Sequence, residues 1–269
     1  MASLNIGPFA FPLGLVILFA AGAVSLAVAK IAGRKPRADV EPQLWKVLFA
    51  GVFGARLAFV VMYWDAYRAA PLSIIDIRDG GFLASAGILA AVAMAVWCAW
   101  RTKDGRKPLA YAVMTGMLVW TVGTAVTLLV HTGKKEVPDL ALTRLDGSTA
   151  RLSAFAGKPI VLNMWATWCP PCRREMPALR DAQRKHPEIV FIFADQGESA
   201  ETVRAYLDAE QIQLDNVLLD PGRQLAYQTG SQGLPTTLFF DAQGKLVDRR
   251  VGGLSAASLA QRLERLGAK

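Results

Sequence analysis

Trp165-Ala166-Thr167-Trp168-Cys169-Pro170-Pro171-Cys172 closes the apolar run from Pro159 to Met164 and opens a helical pattern. Two cysteines at this spacing on a strand-to-helix turn make a redox site. Both sulfurs fall on the first helical turn, within bridging reach, where unpaired N–H groups and a partial positive charge stabilise a thiolate. The outer sulfur, Cys169, is the expected beneficiary and the expected nucleophile, because the thiolate is the form that attacks a disulfide. A structural disulfide or half of a zinc site would use the same residue types. Zinc takes about four ligands, and the chain has three cysteines and two histidines, His131 and His186, without metal spacing. No metal is expected, and Trp165 and Trp168 are expected to pack around the pair.

Working outward, the chain of 269 residues is 53% hydrophobic with a mean hydropathy of +0.29, which sends the search to membrane spans. Four runs are long enough: Pro8 to Ala29, Trp45 to Trp64, Phe82 to Trp100 and Leu109 to Val130. The first has no basic residue before it and is followed by Lys30, Arg34, Lys35 and Arg37, so it reads as a retained span rather than a signal peptide. Residues 1–136 carry 14 Lys+Arg and 7 Asp+Glu, residues 137–269 carry 16 and 15. The basicity belongs to the membrane half and lies in short loops, so no nucleic-acid partner is expected.

Lys30, Arg34, Lys35, Arg37 and Lys46 in the first loop, and Arg101, Lys103, Arg106 and Lys107 in the third, place those loops in the cytoplasm. Lys134 and Lys135 after the last span weigh against this but are outnumbered. An even number of spans then puts both termini outside. Domains are expected at 1–133, an all-α membrane domain of four transmembrane helices, and 137–269, an α/β domain. Cys98, near the inner end of the third span, is expected to be inert.

In the second half, Asp146-Gly147-Ser148 signals a hairpin, and Ile160 to Trp165, Ile189 to Ala194 and Val217 to Leu219 read as strands. Ser199 to Glu210 and Gly222 to Thr229 read as helices, Thr236 to Asp241 with Lys245 to Val251 as a hairpin, and Ser255 opens the last helix. Strands alternating with helices before a terminal hairpin indicate a mixed sheet with helices on both faces.

Trp168-Cys169-Pro170-Pro171-Cys172 after a strand, Glu175 and Pro177 in the following helix, and Gly233-Leu234-Pro235-Thr236 before the hairpin resemble the thioredoxin superfamily. The match over 137–269 is closest to its membrane-tethered, TlpA-like thiol-disulfide oxidoreductases. The resemblance implies an α/β thioredoxin fold and a cis-proline at Pro235. It also implies a substrate surface at Trp168, Pro170, Leu234, Pro235 and Thr236, and no cofactor beyond a Cys169–Cys172 disulfide. Thioredoxin usually has a buried Asp on the strand before the motif. That position is Asn163 here, which moves the candidate proton carrier to Glu175, whose other reading is an exposed first-turn acid. The implied partners are extracytoplasmic protein thiols and disulfides and, because the chain has no second cysteine pair, a membrane electron donor of the DsbD or CcdA kind. The implied place is the bacterial inner membrane, with the thioredoxin domain facing the periplasm.

In the first half, Ile6-Gly7-Pro8, Leu13-Gly14-Leu15, Gly54-Ala55-Arg56-Leu57-Ala58-Phe59, Pro71-Leu72 and Ile77-Arg78-Asp79-Gly80-Gly81-Phe82 followed by Ala86-Gly87 resemble the amino-terminal part of prolipoprotein diacylglyceryl transferase. The chain departs from that family at Ser85, where the family has histidine, and lacks its Gly-Arg-x-Gly-Asn signature. Anchoring is the first reading of this half. Lipid binding or modification, with the thioredoxin domain as a redox sensor or docking module, is the alternative. Arg56 inside a span is expected to pair with Asp65 or a phospholipid headgroup, or to snorkel.

Overall fold

The computed structural model describes every residue except 1–2, 7–8, 34–39, 69–70, 103–104, 131–135, 232 and 268–269. Arg34, Lys35, Arg37, Lys103, His131, Lys134 and Lys135, together with Gly7 and Pro8, enter the expectations above and lie outside the described residues. Internal contacts divide the chain into two units, Met1–Trp64 with Gly81–Gly133, and Asp65–Gly80 with Lys134–Lys269.

The first unit begins with an antiparallel hairpin of Ser3–Ile6 (β1) and Phe9–Pro12 (β2), paired from Ser3↔Pro12 to Ile6↔Phe9. The first helix, Leu13–Ala32 (α1), therefore starts at Leu13 and not at Pro8. Pro12 marks the change, since a proline has no N–H for a helical bond and favours a position at or before a helix start. Glu41–Met62 (α2) follows, with Pro42 tolerated in its first turn, and the short helix Trp64–Arg68 (α3) after it belongs from Asp65 onward to the second unit. Ala84–Arg101 (α4) and Arg106–Val130 (α5) complete the first unit.

Among the described residues, three helices have the length and hydropathy to cross a bilayer, Glu41–Met62, Ala84–Arg101 and Arg106–Thr127, while Val16–Ala32 is a shorter apolar helix. Helix α1 itself runs over 20 residues, Leu13–Ala32, against 18 for α4. Helix α1 packs along α5, and α2 along α4. The α2–α4 seam is made of small residues: a Cβ on Gly87 would stand 2.8 Å from the Ala55 Cβ and 2.9 Å from the Gly51 carbonyl oxygen. Such close backbone approach is how helices gain packing where no hydrophobic effect drives them together. Phe19, Phe49, Phe53, Leu89, Trp100 and Leu129 are exposed, as on a lipid-facing surface. Cys98 is buried among Ala29, Val40, Leu44, Leu109 and Ala112, a packed sulfur.

Arg56 has partners within its own unit. Its Nη1 donates to the Gly81 carbonyl at 2.8 Å and its guanidinium lies 5.6 Å from the Phe82 ring centroid. Asp65 faces Arg68 one turn on, at 3.6 Å. Gly81 permits the arrangement, because a Cβ there would lie 2.7 Å from Arg56 Nη1 and would collide with the Phe59 ring.

The second unit contains a seven-stranded mixed sheet. Its elements in chain order are Ala141–Arg144 (β3), Thr149–Arg151 (β4), Ile160–Trp165 (β5), Pro170–Lys185 (α6), Val190–Asp195 (β6), Ala200–Ala209 (α7), Val217–Leu219 (β7), Gln224–Thr229 (α8), Thr236–Phe240 (β8), Leu246–Val251 (β9) and Ala256–Arg265 (α9). The strand order is β4-β3-β7-β6-β5-β8-β9. Strands β5, β6 and β7 run parallel, while β3 pairs antiparallel with β4 and β7, and β8 pairs antiparallel with β5 and β9. The mixed sheet expected from the alternation of elements is present, and it is the thioredoxin-type sheet that the family resemblance implies.

Every residue of β5 is buried, as for a central strand covered on both faces. Val161 and Trp165 join Met176 and Leu179 of α6, Val203 and Leu207 of α7, and Leu259 and Leu263 of α9 in one core. Ile160, Leu162 and Met164 join Leu152, Leu225 of α8 and Phe240 in the other. Period-two alternation along one strand thus feeds both cores. Ser199 caps α7 by accepting from the Thr202 N–H, and Ser255 and Ser258 form a reciprocal capping box on α9.

Candidate active site

Strand β5 ends at Trp165, the chain turns with Cys169 N–H on the Ala166 carbonyl at 3.2 Å, and Cys169 becomes the N-cap of α6. Pro170 and Pro171 occupy the first helical positions, where a missing N–H costs nothing and φ is preset. Cys169 and Cys172 are joined in a disulfide with Cα atoms 5.3 Å apart. Cys169 Sγ also accepts the Cys172 backbone N–H at 3.3 Å, so the sulfur at the helix entrance has an N–H donor that would strengthen on a thiolate. Cys172 is fully enclosed and Cys169 is 3% exposed, whereas Trp168 beside them is 59% exposed.

Glu175 is not an exposed first-turn acid. It is 1% exposed, its Oε1 accepts from Asn163 Nδ2 at 2.8 Å, and its Oε2 accepts from the Leu254 N–H at 2.7 Å. Asn163 also donates to Thr237 Oγ1 at 3.0 Å. Burial pushes the Glu175 carboxyl up to about 7, against the pull of Asn163, Leu254 and the Arg250 charge. A Cβ on Gly253 would stand 3.9 Å from both Glu175 Oε2 and the Pro171 carbonyl, which sets the carboxyl beside the turn that carries the cysteines. A buried carboxyl near neutrality, next to a dithiol, is equipped to take and return one proton.

The peptide bond Leu234–Pro235 is cis. The register pairs Thr236 with Met164, so Pro235 falls level with Trp165, just before the cysteine turn. Leu234 is half-buried against the core that holds both cysteines. Thr236 is buried, in register with Val251 on its other side, and its hydroxyl donates to the Gly233 carbonyl at 2.6 Å. Pro170 is exposed and Pro235 buried.

Sequence reading missed a second set of groups on this turn. Thr167 donates from its N–H to Glu198 Oε2 and from its hydroxyl to Glu198 Oε1, both at 2.6 Å. Glu198 follows β6, whose last residue, Asp195, is opposite Trp165. The available signal was the acid that ends the apolar run Phe191-Ile192-Phe193-Ala194-Asp195, since the carboxyl ends of neighbouring parallel strands border sites in α/β sheets. Among the described residues no cluster of three or more His, Cys, Asp or Glu is arranged to hold a metal.

A thioredoxin-type sheet whose central strand delivers a cysteine pair to the first turn of a helix defines a thiol–disulfide exchange protein. Residues 134–249 match the AhpC/TSA family model and residues 3–128 match that of prolipoprotein diacylglyceryl transferase. The chain is 32% identical over 166 residues to the thioredoxin-like protein YneN of Bacillus subtilis, covering 54% of this chain and 96% of the relative. It is 30% identical over 134 residues to the thiol-disulfide oxidoreductase ResA of Bacillus thuringiensis, covering 49% of this chain and 77% of the relative. A solved thiol:disulfide interchange protein of the thioredoxin family from Chlorobium tepidum is 25% identical over 50% of this chain and 97% of that one, with a TM-score of 0.45. The chain belongs to the thioredoxin-like thiol-disulfide oxidoreductases, and its amino-terminal half is similar to prolipoprotein diacylglyceryl transferase.

Proposed function

We propose that this is a membrane-anchored, extracytoplasmic thiol-disulfide oxidoreductase that reduces disulfides of other proteins through Cys169 and Cys172. The observation that carries this reading is the Cys169 sulfur at the N-cap of α6, accepting the Cys172 N–H. In the reduced protein the Cys169 thiolate attacks a substrate disulfide, forms a mixed disulfide and expels one substrate thiolate. Cys172 then attacks Cys169 Sγ, restoring the Cys169–Cys172 disulfide and expelling the second substrate thiolate. Two electrons pass to the substrate. Glu175 accepts the proton that Cys172 gives up, and water protonates the substrate thiolates.

Trp168 and Pro170 form the exposed rim that a substrate meets, and the main chain at Leu234 and Pro235 holds an extended guest segment. Thr236, paired on both sides, contributes the strand behind them. The pair needs no added cofactor. The dithiol is regenerated by a membrane electron donor of the DsbD or CcdA kind, because Cys98 is a single packed sulfur. The basic loops between spans support a periplasmic placement of the thioredoxin-like half in a bacterial inner membrane with four crossings.

The test is insulin-disulfide reduction by the full-length protein in detergent with a dithiol as electron source. Turnover that Cys169→Ser abolishes is expected, and a folded wild-type protein without turnover would overturn the reading. A second reading, lipid binding by the amino-terminal half, is favoured by buried Arg56 and the transferase family match. It expects phosphatidylglycerol binding that Arg56→Ala removes, and it fails if that binding is absent from the wild type.

A further inference from the structure

Outside the cysteine pair and Glu175, an enclosed acid of the second unit is linked to the motif turn. Asp195, at the end of β6, is fully buried. Its Oδ1 accepts the Glu198 N–H at 2.9 Å, while Oδ2 has no hydrogen-bond partner. Glu198 in turn holds Thr167 by both its N–H and its hydroxyl, two residues before Cys169. Two carboxylates in such a place repel, and an enclosed carboxylate oxygen without a donor is costly. A single proton shared by the two carboxyls would remove the repulsion and leave Glu198 free to accept from Thr167.

The other groups around the pair do not supply that donor. Asp220, on the neighbouring strand end, has its oxygens occupied by the N–H groups of Gln224 and Leu225 at 2.9 and 2.8 Å and by Gln196 Nε2 at 3.2 Å. The Arg223 guanidinium lies beside Gly197, where a Cβ would be 3.2 Å from its Nε. Trp165 and Leu219, opposite Asp195 on the two flanking strands, carry no charge, and the buried Trp165 indole N–H makes no hydrogen bond to Asp195.

We propose that Asp195 and Glu198 share one proton and that this proton keeps Glu198 clamped on Thr167, so that the two carboxyls are positioning residues for the turn presenting Cys169. Burial, then the hydrogen bond to Glu198, pushes Asp195 up to about 7, so the clamp is held below neutrality and loosened above it. Losing the proton leaves two negative charges under the turn, which separates Glu198 from its partner and opposes a thiolate at Cys169. The clamp acts through Thr167 and touches no reacting atom. It rests on the exchange reading above, as a control on the same sulfur.

The experiment is alkylation of reduced full-length protein in detergent by iodoacetamide, read at Cys169 by peptide mass spectrometry across pH. It is done in a Glu175→Gln background, so that the other carboxyl near neutrality is silent. The expected profile has two steps, one from the thiol and one near neutral pH. Asp195→Asn, whose amide is a permanent donor to Glu198, should remove the near-neutral step and speed alkylation above neutrality roughly threefold, half a pKa unit for the sulfur. Coincident profiles with and without Asp195→Asn, in proteins of equal near-ultraviolet circular dichroism, would overturn the proposal. Should Asp195→Asn not fold, infrared difference spectra of the Glu175→Gln protein decide: a protonated carboxyl at neutral pH that titrates away supports the shared proton, and none contradicts it. Absent turnover in the folded wild type would sink the exchange reading, while the infrared result would still judge the shared proton.

Discussion

Asn163 Nδ2 donates to Glu175 Oε1 at 2.8 Å, tying the strand before the cysteine pair to the helix after it. Where thioredoxin usually places an acid on the strand, this chain places an amide there and brings the acid in from the helix. The carboxyl is held from a third direction by the Leu254 N–H, so its position is fixed by three elements.

One consequence is a pH dependence of stability. The Glu175 carboxyl titrates at about 7 in the fold against 4.5 when free, so the folded state binds this proton more tightly than the unfolded chain does. Its contribution is fully favourable below about 4.5 and is lost as pH rises through about 7. Glu175→Gln should therefore leave stability nearly unchanged at acid pH and raise it by up to ~3 kcal/mol above neutrality. The amide can give its carbonyl to Leu254 and its NH2 to the Asn163 oxygen. Thermal unfolding of wild type and variant at several pH values checks this, and a variant equally stable relative to wild type at every pH would count against it.

The same variant should slow exchange. Without an acceptor for the Cys172 proton, resolution of the mixed disulfide loses the gain of a positioned general base, on the order of a hundredfold. Single-turnover kinetics should show this loss in the release of substrate from the mixed disulfide and little change in its formation.

Asp248 is almost enclosed and meets Arg262 by a direct ion pair, with Arg265 at 3.3 Å. Asp248→Asn leaves a buried guanidinium without its counter-charge and should destabilise the fold by about 3 kcal/mol. Arg262→Met combined with Asp248→Leu should recover much of that loss. Denaturant titration followed by near-ultraviolet circular dichroism measures both.

In the membrane half, Gly87→Val drives a side chain into Ala55 and the Gly51 carbonyl and should cost about 1–3 kcal/mol. Gly22→Ala on α1, where nothing lies within 4 Å of the new Cβ, should be close to neutral. Dodecyl sulfate titration of the two proteins separates a seam that depends on close approach from one that does not.

The sheet was legible because β5, β6 and β7 are short apolar runs bounded by turn residues, and the cysteine pair because its spacing stands beside a strand end. Ser199 and Ser255 announced their helices by residue type and delivered the caps. The start of α1 was not legible, since Phe9–Pro12 is as apolar as the helix it precedes and only pairing with Ser3–Ile6 removes it. Glu175 could be named from the sequence, but its enclosure depends on Leu254, 79 residues away. The hold of Glu198 on Thr167 spans 31 residues and leaves no periodic trace. Arg56 donates to a main-chain carbonyl, a partner that side-chain types do not reveal.

The most direct test of the central claim is capture of the mixed disulfide with Cys172→Ala in cells expressing the full-length protein. Removing the resolving sulfur should leave partners bound to Cys169 through disulfides that a reductant releases, and Cys169→Ser should abolish them. A Cys172→Ala protein that folds, inserts and keeps a reduced Cys169 yet traps no partner would contradict exchange through this pair.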